Sequence, residues 1–254
     1  MKRFLLIIIA AMMTLSLMSC TRITMPGQAV SEDGTNTTVI HKDVPDDLPN
    51  NEPGSISKDE PVYDYEPMVY YNVGDTVTFG EYEQNNRTND GAEPIEWTVL
   101  EKRGDAYLLL SRYGLDCRSY NNVSDYVTWE SCSLRSWLNN SFYNTAFSSS
   151  EKSKICEYRG YDSSDMVFCL SGYEVEKYLP DAYSRRADAT PYAEAKGAYT
   201  SNGFCGWWLR GRGVNYDVAA RVNIHGEIMT TDSRSEGGVE RIDYSVRPAI
   251  WVEF

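Results

Sequence analysis

All six tryptophans of this 254-residue chain lie beyond residue 96, and five of its six cysteines lie beyond residue 116. Large aromatic side chains dominate the energetics of a buried core, so only the later part of the chain can build one. Residues 21–70 contain no Trp, Phe or Cys, but six prolines and ten acids against three bases. A stretch so charged and so poor in apolar surface cannot offset the entropy of ordering its backbone. It reads as an acidic disordered tether, spanning on the order of 40 Å as a coil and more where its charges repel. Residues 71–254 are then the globular part, a length suited to one domain. With a net charge of −13, the chain lacks the clustered Lys and Arg that phosphate neutralisation demands, which excludes nucleic acid as a partner.

The first twenty residues carry an address. Lys2 and Arg3 precede an apolar run from Phe4 to Leu17. That run is shorter than the roughly 20 residues of a membrane-spanning helix and fits the hydrophobic region of a secretory signal. No other stretch is apolar enough to enter a bilayer, so a channel or transporter is not expected. Leu17-Met18-Ser19-Cys20 resembles the lipobox of bacterial lipoproteins. The resemblance implies cleavage before Cys20, a lipid on that cysteine, and attachment to the outer face of the cytoplasmic membrane. Three segments follow: a signal at 1–19, a lipid-anchored linker at 20–70, and a folded domain at 71–254.

Within the domain, Val73–Phe79, Pro94–Leu100 and Ala106–Ser111 alternate as half-buried strands do, with Gly104-Asp105 as a turn joining the last two. Leu134, Trp137 and Leu138 then recur at helical spacing, and Phe142 and Phe147 extend the apolar surface. Ser148 with Glu151, and Ser171 with Glu174, have the spacing of capping boxes that open short helices. Pro191 after Thr190 marks a helix start and Gly197 its end. Strands return at Gly206–Arg210, Asp217–Ile224, Glu227–Thr231 and Tyr244–Val252, with His225-Gly226 as the turn between the middle pair. Adjacent Trp207 and Trp208 on one strand should face opposite ways, one inward and one outward or toward an edge. Strand pairs at both ends enclosing short helices predict an α+β domain whose sheet brings its two ends together.

The ordered segments VGDTVTFGEYEQ, PIEWTVLEK, YLLLSRYGLD, TWESCSLRSWLNNSFYNTAFSSSEKSKI, YAEAKGAY, GWWLRGRG and VRPAIWV resemble an uncharacterised bacterial family, domain of unknown function 6273, across residues 71–254. Its members occur mostly on secreted or surface proteins of Gram-positive bacteria. The family usually has Trp-Trp-Leu-Arg-Ser-Pro-Gly where this chain places Gly211-Arg212-Gly213 after Arg210. More remotely, the aromatic-Arg strand, the glycine turn and the final strand from Val246-Arg247-Pro248 are similar to the C-type-lectin-like fold of sulfatase-modifying enzymes. That likeness implies a single C-type-lectin-like domain. Their redox-active cysteine pair has no counterpart in Gly211–Asn223, which contains no cysteine, so their oxidase activity does not carry over.

No catalytic constellation stands out. The domain's one histidine, His225, sits at a turn. The cysteines at 117, 132, 156, 169 and 205 lack the close pairing of a zinc site. With 27 acids in the domain, a carboxylate pair suited to glycoside hydrolysis carries almost no information. No catalytic residue, metal site or cofactor is therefore assigned, and the chain leans away from being an enzyme. For an exported protein, Cys117 with Cys132 and Cys156 with Cys169 are candidate disulfides, buried thiols being the alternative. Arg247 reads as a buried, hydrogen-bonded structural residue.

The loops 210–217 and 230–244 are rich in Gly, Arg, Asn, Ser and Tyr, the residue types of recognition surfaces. Trp208, Arg210, Arg212, Asn215, Tyr216 and Arg234 are the candidate ligand-binding residues. The expectation is a surface-displayed module for a glycan or a protein, anchored in the membrane through Cys20. An enzyme on cell-wall or dietary polysaccharide is the alternative, as is an assembly lipoprotein with a protein partner.

Overall fold

A computed structural model of the chain describes residues 70–160, 163–230 and 234–254. The expectations for the signal, Cys20 and the tether concern residues outside these. The described residues from Tyr70 to Phe254 belong to one compact unit. It is α+β, as expected, and its strands fall mainly into two five-stranded sheets.

The first sheet grows from the three alternating segments. Strands β1 (Thr76–Tyr82), β2 (Glu93–Arg103) and β3 (Ala106–Ser111) pair antiparallel in sequence order. The turn between β2 and β3 is Gly104-Asp105: Arg103 pairs with Ala106, and Gly104 adopts φ +62. A glycine at the first central position is what a II′ hairpin turn requires. The inward residues of β2, Ile95, Trp97 and Val99, are fully buried. The Trp97 indole donates to Phe79 O at 2.7 Å, so the ring gains its hydrogen bond without leaving the core.

The second sheet is assembled from distant pieces. After β4 (Asp116–Cys117) and β5 (Ile155–Cys156) come β6 (Trp207–Arg212), β7 (Ala219–Val222), β8 (Ile228–Met229), β9 (Ser245–Val246) and β10 (Ala249–Glu253). The spatial order is β1-β2-β3-β10-β5 in the first sheet and β8-β7-β6-β9-β4 in the second. Only β6 and β9 run parallel within these sheets, with Trp207 opposite Ser245. The single C-terminal strand expected at Tyr244–Val252 is split in two at Arg247-Pro248. Proline has no N–H for a ladder, and the chain uses the break to pass from the second sheet into the first. Arg247 is buried at the crossing. It donates from Nε to Ser111 O at 2.8 Å, and its guanidinium lies 5.0 Å from the centre of the Trp207 ring. The expected buried structural role is what the geometry displays. The ends of the domain also meet, since the Tyr71 ring lies 4.9 Å from that of Phe254.

Between the sheets' strands runs a helical stretch, Ser133–Trp137, Leu138–Phe142 and Tyr143–Ala146. Its buried residues Leu134, Leu138, Phe142 and Ala146 recur every four positions. In a regular helix that spacing drifts by about 40° per step. The middle segment is a π-helical turn, and its wider winding keeps the apolar stripe on the core. Asp165, buried, ties this stretch down by accepting from Trp129 Nε1 at 2.9 Å, Ser163 Oγ at 2.8 Å and Arg135 Nε. Both capping boxes form, Ser148 with Glu151 and Ser171 with Glu174, and Thr190 caps the helix Pro191–Ala195.

The expected disulfides are corrected by the structure. Cys117, Cys132, Cys156 and Cys169 are buried as thiols, with neither Cys117–Cys132 nor Cys156–Cys169 joined. Cys132 is committed elsewhere: its sulfur caps the helix that begins at Ser133 by accepting from Arg135 N. Burial lifts the Cys132 and Cys205 thiols to about 11 and the Cys117 thiol to about 12. They therefore stay protonated and unreactive at neutral pH.

Candidate functional site

The outer edge of the second sheet carries a cleft among the described residues. Strands β7 and β8 form a hairpin whose turn is Asn223–Gly226, one position earlier than the sequence suggests. Gly226 N donates to Asn223 O at 2.9 Å and Asn223 N to Glu227 O at 2.9 Å, with Gly226 at φ +84. This is a turn followed by a left-handed glycine, the three-residue hairpin form. His225 sits within it, its backbone N–H held by the Asn223 side chain at 2.9 Å.

Against this hairpin lies the segment 234–244, and between them opens a cavity of about 420 Å³. That volume falls in the range of small-molecule sites, roughly 300–1,000 Å³. Its walls include Tyr199, Arg221, Glu236, Arg241, Asp243 and Tyr244. Arg221 projects from the middle of β7 and is almost fully buried. Its Nε donates to the Tyr244 hydroxyl at 2.7 Å, which in turn donates to Glu236 O at 2.8 Å. Burial raises the Tyr244 phenol above its ordinary value, so this hydroxyl remains a neutral relay between two elements. Arg241 forks Asp243 through Nε, at 2.8 Å, and Nη2, and its Nη1 donates to Ser235 O. The bond to Asp243 holds the Arg241 guanidinium above its usual range. Tyr199 stands at the mouth, 60% exposed, its backbone N–H fixed on Asp243 O at 2.9 Å.

A second feature borders the same segment. Tyr216 in the 213–217 loop is 63% exposed and Tyr126 is 58% exposed, with their ring centres 6.0 Å apart. The two loops are pinned to the 234–244 segment: Val239 N donates to Asp217 O at 3.0 Å, and Asn121 N to Val239 O at 2.8 Å. A tyrosine ledge and a cavity therefore flank one loop.

The candidate residues divide between these features and the interior. Asn215 and Tyr216 are exposed on the ledge loop, and Arg212 is exposed where β6 runs into it. Arg234 pairs with Glu240 at 2.7 Å and staples the short helix Arg234–Gly237 to the chain beyond. Trp208 is fully buried and cannot touch a ligand; its indole donates to Arg118 O at 2.8 Å and its ring backs Tyr244 at 4.6 Å. Trp207 is buried as well, so the expectation that one of the pair faces outward fails, because both faces of β6 are covered. Arg210 points away from the ledge. It donates to Cys169 O at 3.0 Å and Tyr158 OH at 2.7 Å, and pairs with Glu174 at 2.9 Å, bracing the helix Gly172–Tyr178 against β6.

The sequence motifs do not single out Tyr126, Tyr199 or Arg221, and within the 230–244 loop they do not single out Arg241, Asp243 or Tyr244. One signal was present: a lone arginine in the apolar run VAARV, since charged residues are almost never fully buried without a partner.

A family model for a domain of unknown function, DUF6273, matches residues 104–254. The chain belongs to the DUF6273 family. The matched part starts at the Gly104 turn, so β1 and β2 precede it, and it contains the cavity and Tyr126 with Tyr216. No curated protein and no solved structure matches the chain. Among the described residues, no three His, Cys, Asp or Glu side chains gather to hold a metal ion, and no helix is long and apolar enough to cross a membrane.

Proposed function

We propose that this DUF6273 protein is a cell-surface lipoprotein displaying a ligand-binding module, and that its ligand is a glycan. The observation that carries the reading is the exposed pair Tyr126 and Tyr216, whose rings lie 6.0 Å apart. Exposed tyrosines give rigid amphipathic contact area at a small entropic cost, and burying them on a ligand regains part of their apolar transfer energy. The lipobox-like Leu17–Cys20 segment and the acidic stretch 21–70 support an anchored domain held away from the membrane. The test is a screen of the full-length chain in detergent on an array of wall, mucin and plant glycans. Binding that drops at least tenfold in Tyr216→Ala supports the reading. A silent array removes glycans and turns the search to protein partners.

A further inference from the structure

We infer that the cavity between the β7–β8 hairpin and the segment 234–244 seats one uncharged sugar ring, so that the module selects neutral over charged saccharides. This deepens the glycan reading and rests on it. Among the described residues that line it, two basic side chains, Arg221 and Arg241, stand against two acidic ones, Glu236 and Asp243. An anionic sugar would have to bring its carboxylate up to Glu236 and Asp243, and a cationic one would meet Arg241. Both would be desolvated to face a like charge. The arginines are also engaged: Arg241 forks Asp243, and Arg221 spends its Nε on the Tyr244 hydroxyl. Neither is laid open as an anion clamp.

What the cavity does present suits hydroxyl groups, each of which donates one hydrogen bond and accepts others. The Glu236 carboxylate, on an exposed residue at the wall, accepts. Tyr199, 60% exposed at the mouth, gives a flat face for the C–H side of a ring. Half-buried Ile224 and Met229 complete the apolar wall. The Asn223 amide is held by the turn, its oxygen accepting from His225 N and Glu227 N and its nitrogen donating to Glu227 Oε2.

The experiment titrates the full-length chain in detergent with three disaccharides, using calorimetry and the array side by side: neutral N,N′-diacetylchitobiose or cellobiose, anionic digalacturonate, and the cationic glucosamine dimer. Wild type is compared with Tyr199→Ala, Glu236→Ala and Tyr216→Ala, all at exposed positions. The expected result is preference for a neutral saccharide, with at least tenfold weaker binding in Tyr199→Ala and in Glu236→Ala. If a charged saccharide binds best, or if array ligands are lost only in Tyr216→Ala while both cavity variants keep wild-type affinity, the cavity assignment falls and the glycan reading stands. If neither array nor titration shows any saccharide bound, both fall together.

Discussion

In the first sheet the residues that share a face with Trp97 are Val99, Leu109, Ser111 and Ile250, all buried and without a charged side chain among them. The second sheet carries Asp116, Arg221 and Ser245 among its buried residues, alongside Trp207 and Trp208. The two sheets are also wired differently. In the first, three strands follow one another through short connections, so most of its ladder is local. In the second, β4, β6 and β9 come from residues near 116, 207 and 245, and Asp116 and Arg221 bond to side chains distant along the chain. Asp116 accepts from the Tyr82 hydroxyl at 2.6 Å. Burial, and then the charge of Asp116, push that phenol well above its ordinary value, so the pair is a fixed neutral donor on a carboxylate. Apolar filling is indifferent to direction, whereas a buried polar group demands one partner at one angle. The first sheet therefore behaves as a platform, and the second as a frame that positions loops and leaves a polar cavity at its edge.

The contrast can be tested by removing one residue of each kind. Trp97→Ala deletes the central ring of the first sheet and leaves the Phe79 carbonyl without its donor; unfolding free energy should fall by about 3–5 kcal/mol, read from urea denaturation. A loss below about 1 kcal/mol would mean that this sheet is not the platform. Tyr244→Phe keeps the ring against Trp208 but removes the hydroxyl between Arg221 and the Glu236 carbonyl. The expected cost is about 1–3 kcal/mol, the desolvation of partners left unpaired. An unchanged midpoint would show the second sheet to be held by apolar contact as well. Tyr216→Ala touches only the exposed ledge and should change stability by no more than about 0.5 kcal/mol, which separates any loss of binding in that variant from a loss of folding.

The parts of the fold visible in the sequence were those whose cause is local. Strand β3 was read with its bounds, and the Gly104 turn, both capping boxes and the Thr190–Pro191 helix start were found, because alternation, glycine conformation and caps act over two to four residues. The π turn at Leu138–Phe142 escaped notice although its four-residue spacing was in view. Loop composition points to Asn215 and Tyr216, and the structure leaves both exposed. Trp208 and Arg210 were misjudged, because whether a strand's second face is covered depends on elements up to 90 residues away.

From sequence alone came the division into an acidic stretch and a globular domain, the α+β class, the family likeness and the meeting of the two ends. All of these follow from composition, periodicity and motif order. Only the tertiary structure decided which tyrosines stay exposed, that the two candidate disulfides are not formed, and that Arg221, Arg241, Asp243 and Tyr244 line a cavity. Those outcomes depend on partners distant along the chain, and a buried charge or an open cleft is defined by what packs beside it rather than by its neighbours in sequence.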